Sequence, residues 1–507
     1  MTATDNGATA ATPTPDGAAR ARRSFELRIL SLVTLSIFLV VSSTSVLAIA
    51  LPTVARHFGA SAFESTWLLL MPTLVQTCFL ILFGRVADLV GLRWMFLSGL
   101  GVFTVAAVLS GFAGSVVMLI ALGAVQAVGA AMVMCNTGAT VGAVFPGRRL
   151  GRAMGVYLAG VSVAQMIAPS VGGLITGTVG WHWLYWGQVP FALGCVVLGA
   201  RYLAALPRTP DRTRKLDVRG ALTLSLMSGF LVYGVSSVQS SGLRSWEVVV
   251  GLAVAVALVP VLIVVESRAE DPILQARLLR RGSFLLANLS NLLSVLPRFE
   301  TVLIAGLYYQ TVLGDSAVTA GLKVLPLPVG ITVGSLVADR IAARRGLRTT
   351  AIGASVTMSA GLGLLALSFS GGRPYGWHLL ALLAIGLGAG VFSTVNSTLI
   401  IREAPPGEIG TVNGIRLTVM NVGGSVALAA GLAIATSSLP AEARSAFYDA
   451  TVPPDTGAGA LIHGFNLLFV VMIVASLAGG LILLARPASG WASADDPPPR
   501  KAEPDQG

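Results

Sequence analysis

Four ionic side chains lie where ionic side chains are rare. Glu300 and Arg298 fall near the middle of a long apolar segment, Lys323 about a third of the way into the next, and Arg416 in the first turns of the last but one. An ion at the centre of a bilayer costs about 2.5–3.5 kcal/mol to insert. Two such charges approach the roughly 5–15 kcal/mol that holds a whole fold together, so they are expected to be paired or to face a water-filled cavity. Glu300 is the only carboxylate deep in any apolar segment. Burial disfavours the charged form of a carboxyl and a nearby cation favours it, so Glu300 can load and release a proton. Arg298 is two residues away, roughly 200° around a helix, and is not its natural partner there. A static Glu300–Lys323 or Glu300–Arg416 pair locking two helices is the competing reading. Three cations against one carboxylate predict a positive interior and a neutral or anionic substrate.

Uncharged polar groups form a second set. Gln126, Asn136 and Asn396 sit inside apolar segments and can bond either a substrate or another helix. Tyr308 and Tyr309 read as interfacial anchors. His57, His182, His378 and His463 fall near segment edges and read as solvated. A third set lies in loops. Gly84-Arg-Val-Ala-Asp88-Leu-Val-Gly91-Leu-Arg93 follows the second segment. A related turn after the tenth holds Gly334, Asp339, Arg340, Gly346 and Arg348. Glycine lets such a turn tighten. Asp88 there can accept hydrogen bonds from the start of span three, or pair with Arg93 or with a helix end of the other half, and a bond present in one conformation only biases a two-state equilibrium.

The elements that must position these residues are membrane spans. The chain has 507 residues, 54% hydrophobic and 11% charged, against about 25% charged in soluble domains. Fourteen runs of roughly 18–29 residues can each cross about 30 Å of hydrocarbon. They cover 29–52, 65–83, 95–112, 116–144, 153–176, 183–203, 219–238, 247–266, 284–312, 317–337, 349–369, 377–400, 411–436 and 463–485. Of the 34 Lys and Arg, 27 fall in alternate loops and the two tails, and four (Arg56, Arg244, Arg373, Arg444) in the remaining loops. Basic residues stay on the cytoplasmic side, so both termini are expected there. The net charge of +11 then faces anionic lipid and requires no nucleic acid. Residues 1–28 and 486–507 read as cytoplasmic tails, the first apolar run as a retained helix. Weak repetition divides the rest into a six-helix bundle (29–203), a two-helix insert with basic flanks (204–283) and a second six-helix bundle (284–485). Internal repeats place a substrate site at their interface, near mid-membrane. Cys78, Cys135 and Cys195 fall inside spans and imply no disulfide framework. The outer segment 437–462 carries no assignable chemistry.

Several linked motifs resemble the major facilitator superfamily, specifically its fourteen-helix drug:proton antiporter branch. The Asp88 turn is similar to that family's signature loop, with Leu89 and Trp94 replacing residues that are usually basic. Gln126-Ala-Val-Gly129-Ala130 is similar to Arg-x-x-Gln-Gly-x-Gly-Ala. Ala164-xxx-Ala168-Pro169-xx-Gly172-Gly173 is similar to the antiporter motif Gly-xxx-Gly-Pro-xx-Gly-Gly, and Trp181-His182-Trp183 through Gln188 and Pro190 to the opening of span six. Ala50-Leu51-Pro52 closes span one as that branch does. The resemblance implies an all-α polytopic fold with 14 transmembrane helices, export by alternating access, and coupling through span five. Three positions depart. The family's span-one acid is Ser43, the Asn five residues on is Ala48, and the span-four Arg is Gly123. The usual coupling route therefore does not carry over.

The sequence predicts a secondary transporter of a bacterial cell membrane that exchanges an amphipathic small molecule for protons. A high-GC genome is suggested by 31 Arg against 3 Lys. Neither a cofactor nor a metal is expected. None of the lysines follows the glycine of a nucleotide-binding loop, which excludes an ATP-driven pump. A membrane-embedded enzyme would need clustered catalytic His, Asp or Ser, and the four histidines are scattered. A facilitator or importer without proton coupling remains the alternative.

Overall fold

The computed structural model describes residues 15–145, 147, 149–205, 217–241, 245–269, 281–405, 408–435 and 458–485. Their regular structure is helical throughout. The helices are α1 (Pro15–Phe58), α2 (Ala62–Val90), α3 (Leu92–Ser110), α4 (Val116–Val144), α5 (Arg149–Thr178), α6 (Trp183–Tyr202), α7 (Val218–Ser241), α8 (Trp246–Arg268), α9 (Gly282–Val312), α10 (Thr319–Arg345), α11 (Leu347–Ser370), α12 (Tyr375–Arg402), α13 (Ile409–Ala435) and α14 (Ala458–Ile482). Thirteen are long and apolar enough to cross a membrane, and α13 occupies the remaining predicted span. Helix α1 starts inside the segment read as a tail. The basic flanks of the insert at 206–216 and 270–280, most of 437–462, and 486–507 lie outside the described residues.

Local signals set the helix ends. Ser61 caps α2 through a capping box with Glu64, and Ser115 caps α4. Gly91 (φ 99°) and Gly346 (φ 80°) join α2 to α3 and α10 to α11 by single-residue turns that a Cβ would strain. One correction follows. Gly84 and Asp88 do not lie in a turn after the second span but in the last two turns of α2, and Asp339 and Arg340 likewise lie within α10. Charges end a hydropathy run before they end a helix.

Each half packs its own core. One spans α1 to α6 around Phe96, Phe103 and Tyr157; the other spans α9 to α14 around Phe369, Phe465 and Phe469. Gly99 of α3 and Gly129 of α4 let two backbones meet, the small-residue contact that drives association in lipid. The insert pairs α7 with α8 at Gly234 and Gly251. Its Ala221, Leu224 and Leu262 pack with Ile81 of α2 and Val412 and Ile415 of α13. The insert therefore covers the seam between the halves along one side.

Candidate functional site

At the Arg-rich face the halves are latched. Asp88, in the last turn of α2, reaches the N-terminus of α13. Its Oδ1 accepts the Gly410 N–H at 2.8 Å, and its Oδ2 accepts the Thr411 N–H at 2.8 Å and the Thr411 hydroxyl at 2.7 Å. These amide groups have no partner within the helix, and a helix N-terminus favours an anion. Close approach makes the reach possible, because a Cβ on Gly84 would stand 2.5 Å from the Gly410 carbonyl oxygen. The repeat is visible on the opposite seam. Asp339 of α10 lies over the first turn of α5, where a Cβ on Gly151 would stand 2.5 Å from its Oδ1. Of the alternatives for Asp88, the helix end of the other half is the one used. Arg93 instead donates to the Ala200 carbonyl at 3.3 Å and lies over Trp94. Arg340 is exposed. Arg402 of α12 donates to the Gly147 carbonyl at 2.9 Å, adding a link between halves.

Deeper along the same seam lies Arg416, 2% exposed. Its Nε and Nη2 donate to Asn413 Oδ1 at 3.1 and 2.9 Å, and its Nη1 to Ser397 Oγ at 3.1 Å. Asn413 in turn donates to the Cys135 carbonyl of α4 at 2.7 Å. The Glu300–Arg416 pair of the competing reading does not form. Asn413 and Ser397 were not singled out from the sequence, although Asn413, three residues before Arg416, shares its helix face.

Helix α9 carries the other central charges on an interrupted backbone. Pro297 removes one backbone donor, and residues 308–312 form a π-turn. Arg298 points to α13, where Nη2 meets Met420 Sδ at 3.6 Å and the guanidinium lies 5.0 Å from the Phe299 ring centroid. Glu300 points elsewhere. Its carboxyl is fully buried against Gly431, where a Cβ would overlap it. Neither oxygen has a hydrogen-bond partner among the described residues.

Lys323 does not pair with Glu300 either. It forms an ion pair with Asp315 at 2.5 Å and lies over Tyr309. The short helix before Pro326 holds it at the end of α10, away from the mid-membrane level. The surrounding tyrosines are core and not interfacial anchors. Tyr308 stacks on Phe369 at 3.7 Å, and Tyr309 OH lies 3.2 Å from His378 Nδ1. His378 is 2% exposed, which corrects the solvated reading. His182 stacks on Trp181 at 3.9 Å. Partial burial and the nearby His57 hold its imidazole below the usual histidine range.

Asn136 and Asn396 join helices: Asn136 donates to the Leu92 carbonyl, and Asn396 to the Ala287 carbonyl at 3.1 Å. Gln126 donates to Gln188 at 3.1 Å and also faces a cavity of about 230 Å³ between α1, α2 and α4. Ser43, Thr73, Gln76, Gly123 and Tyr185 share that wall, and no ionisable acid or base other than the tyrosine lines it. A Cβ on Gly123 would meet only Pro72, at 3.7 Å. Ser43 and Gly123 thus leave open the space that an acid and an arginine would fill. On α5, Ala168 is buried and Gly172 packs on Val46 of α1, while Gly173 faces open space. Pro169 lies within the continuous helical range of α5.

This architecture matches known proteins along most of its length. The profile of the Major Facilitator Superfamily matches residues 33–428. The chain belongs to the major facilitator superfamily. The puromycin resistance protein of Streptomyces alboniger is 33% identical over 458 residues, covering 88% of this chain and 89% of the relative. The cephamycin export protein of Amycolatopsis lactamdurans is 31% identical over 432 residues, 82% of this chain and 87% of the relative. The crystal structure of the human organic anion transporter MFSD10 shares the fold, with a TM-score of 0.63, 16% identity and coverage of 89% of this chain and 99% of that one. This major facilitator is thus a multi-pass transporter of a bacterial cell membrane, not an enzyme.

Proposed function

We propose that this transporter exports antibiotic-like amphipathic molecules, neutral or anionic, by alternating access in exchange for protons, with the Arg-rich face in the cytoplasm. Relatives at 31–33% identity are named for puromycin resistance and cephamycin export. The hydrogen bonds of Asp88 and the contact of Asp339 fit a state closed at the Arg-rich face. The mostly apolar cavity of about 230 Å³ fits a small apolar moiety of such a molecule.

The observation that carries coupling is the Glu300 carboxyl. An ionised carboxylate enclosed there with no partner would bear the cost of its lost hydration. The neutral acid suits this packing, and the carboxylate suits a state in which α9 and α13 separate and water enters. A proton taken up in one state and released in the other couples the gradient to the conformational cycle. The test is drug uptake into inside-out vesicles, with puromycin and a cephamycin as substrates, with and without a proton gradient. Wild type should accumulate drug only with the gradient. Glu300→Gln should retain downhill movement and lose gradient dependence. Wild-type uptake that is indifferent to the gradient would establish the facilitator reading, which the uncharged Ser43 and Gly123 favour.

A further inference from the structure

Arg298 and Arg416 approach the same stretch of α13 from two sides. Arg416 lies on α13 itself, and Arg298 reaches Met420 one turn further along. Arg416 is the charged group that acts most on Arg298. Their partners are uncharged groups: the Asn413 carbonyl oxygen, the Ser397 and Tyr157 hydroxyls, the Met420 sulfur and the Phe299 ring. Buried charges are ordinarily neutralised by a partner of opposite sign. The central acid that would serve, Glu300, faces Gly431 instead. Two guanidinium groups with neutral contacts at mid-membrane form an anion receptor in need of an anion. Arg298 is half-buried and keeps donors beyond its weak sulfur contact.

The position relative to the cavity sets the kind of anion. Asn421, next to Met420, donates to Thr77 Oγ1 of α2 at 3.2 Å. Thr77 neighbours Gln76, which lines the uncharged cavity. An apolar body in that cavity therefore lies across one helix contact from the arginine pair. We propose that Arg298 and Arg416 form the binding site for an oxyanion carried by the substrate, a carboxylate, sulfonate or phosphate, whose apolar body occupies the cavity between α1, α2 and α4. This rests on the exporter reading above and names the substrate class of the same site.

The test uses two probes with one ring and different charge, 1-naphthaleneacetate and 1-naphthaleneacetamide, bound to the full-length protein in phosphatidylcholine nanodiscs. A charge-assisted hydrogen bond is worth about tenfold to a hundredfold in affinity. Wild type should prefer the acetate by about tenfold or more. Arg298→Gln should abolish the preference, and Arg298→Lys should keep most of it. Because Arg298 is half-buried, these variants perturb packing less than a change at Arg416. Millimolar inorganic phosphate separates the two sources of oxyanion. A preference that survives phosphate supports a substrate-borne group, and full displacement by phosphate overturns it. Equal binding of both probes, binding of neither, or an unchanged preference in Arg298→Gln also overturns the site. Puromycin efflux in vesicles reports export separately, so intact efflux with no charge preference removes the anion site and leaves the exporter.

Discussion

Asp88→Asn should open the Arg-rich face. The wild-type carboxylate accepts three hydrogen bonds, two of them from amides at the N-terminus of α13. Asparagine keeps one acceptor oxygen and turns an NH₂ donor toward a donor. A hydrogen bond to a charged group contributes about 1.5–3 kcal/mol, and an anion at a partly buried helix N-terminus up to about 2 kcal/mol. The two overlap, so about 2–3 kcal/mol of closed-state stability should be lost, roughly 30- to 160-fold in the closed-to-open ratio. A population 99% closed would fall to roughly 40–75% closed. Pulsed electron paramagnetic resonance between spin labels replacing Arg152 and Arg340, both exposed near the Arg-rich ends of α5 and α10, reads this directly in a background lacking Cys78, Cys135 and Cys195. Thr411→Val removes one of the three bonds and should shift the ratio by only about fivefold, the worth of about 1 kcal/mol. A distance distribution identical in wild type and Asp88→Asn would refute the latch.

Two further substitutions test the cavity and the turns. Gly123→Leu places a side chain in open space next to Pro72. It should leave the thermal midpoint of the purified protein near wild type while cutting drug efflux severely; full efflux would show that the cavity is not the substrate path. Gly91→Val forces a β-branched residue to φ 99° and should cost about 1–2 kcal/mol, read as a lower thermal midpoint. Gly101→Ala, with no atom within 4 Å of its Cβ, is the control and should not move it.

The spans were legible in the sequence because hydropathy varies over twenty residues at a time and tolerates local error. The ends were less so. Arg85 and Asp88 interrupt the apolar run, yet the backbone continues as helix to Val90, because a helix end needs water or a cap and not apolarity. The association of Asp88 with a helix end of the other half is one of three open readings of the sequence, and its address on α13 needs the fold. The pairing of Lys323 was missed because Asp315 reaches it around the bend at Ser316. The surroundings of Glu300 were not legible at all. Gly431 stands far off in the chain and meets the carboxyl through the crossing of α9 and α13, and a glycine in an apolar run carries no mark of what it makes room for.

The two seams of the closed face are related by the internal repeat but are not equal. At both, an aspartate from the second or tenth helix meets the start of a helix in the other half. Among the described residues, only the α2–α13 seam is also roofed by α7 and α8, through Ala221, Leu224 and Leu262. Trp67 of α2 stacks on Tyr233 of α7 at 5.9 Å and extends this contact toward the opposite face. Separation of α2 from α13 must therefore either tear apolar side chains from the insert or carry the insert with one half. Among the described residues, the α5–α10 seam bears no such load. In the alternating access proposed above, Asp88 leaves α13 in either case, and the open choice is whether the insert stays packed on α2 or on α13.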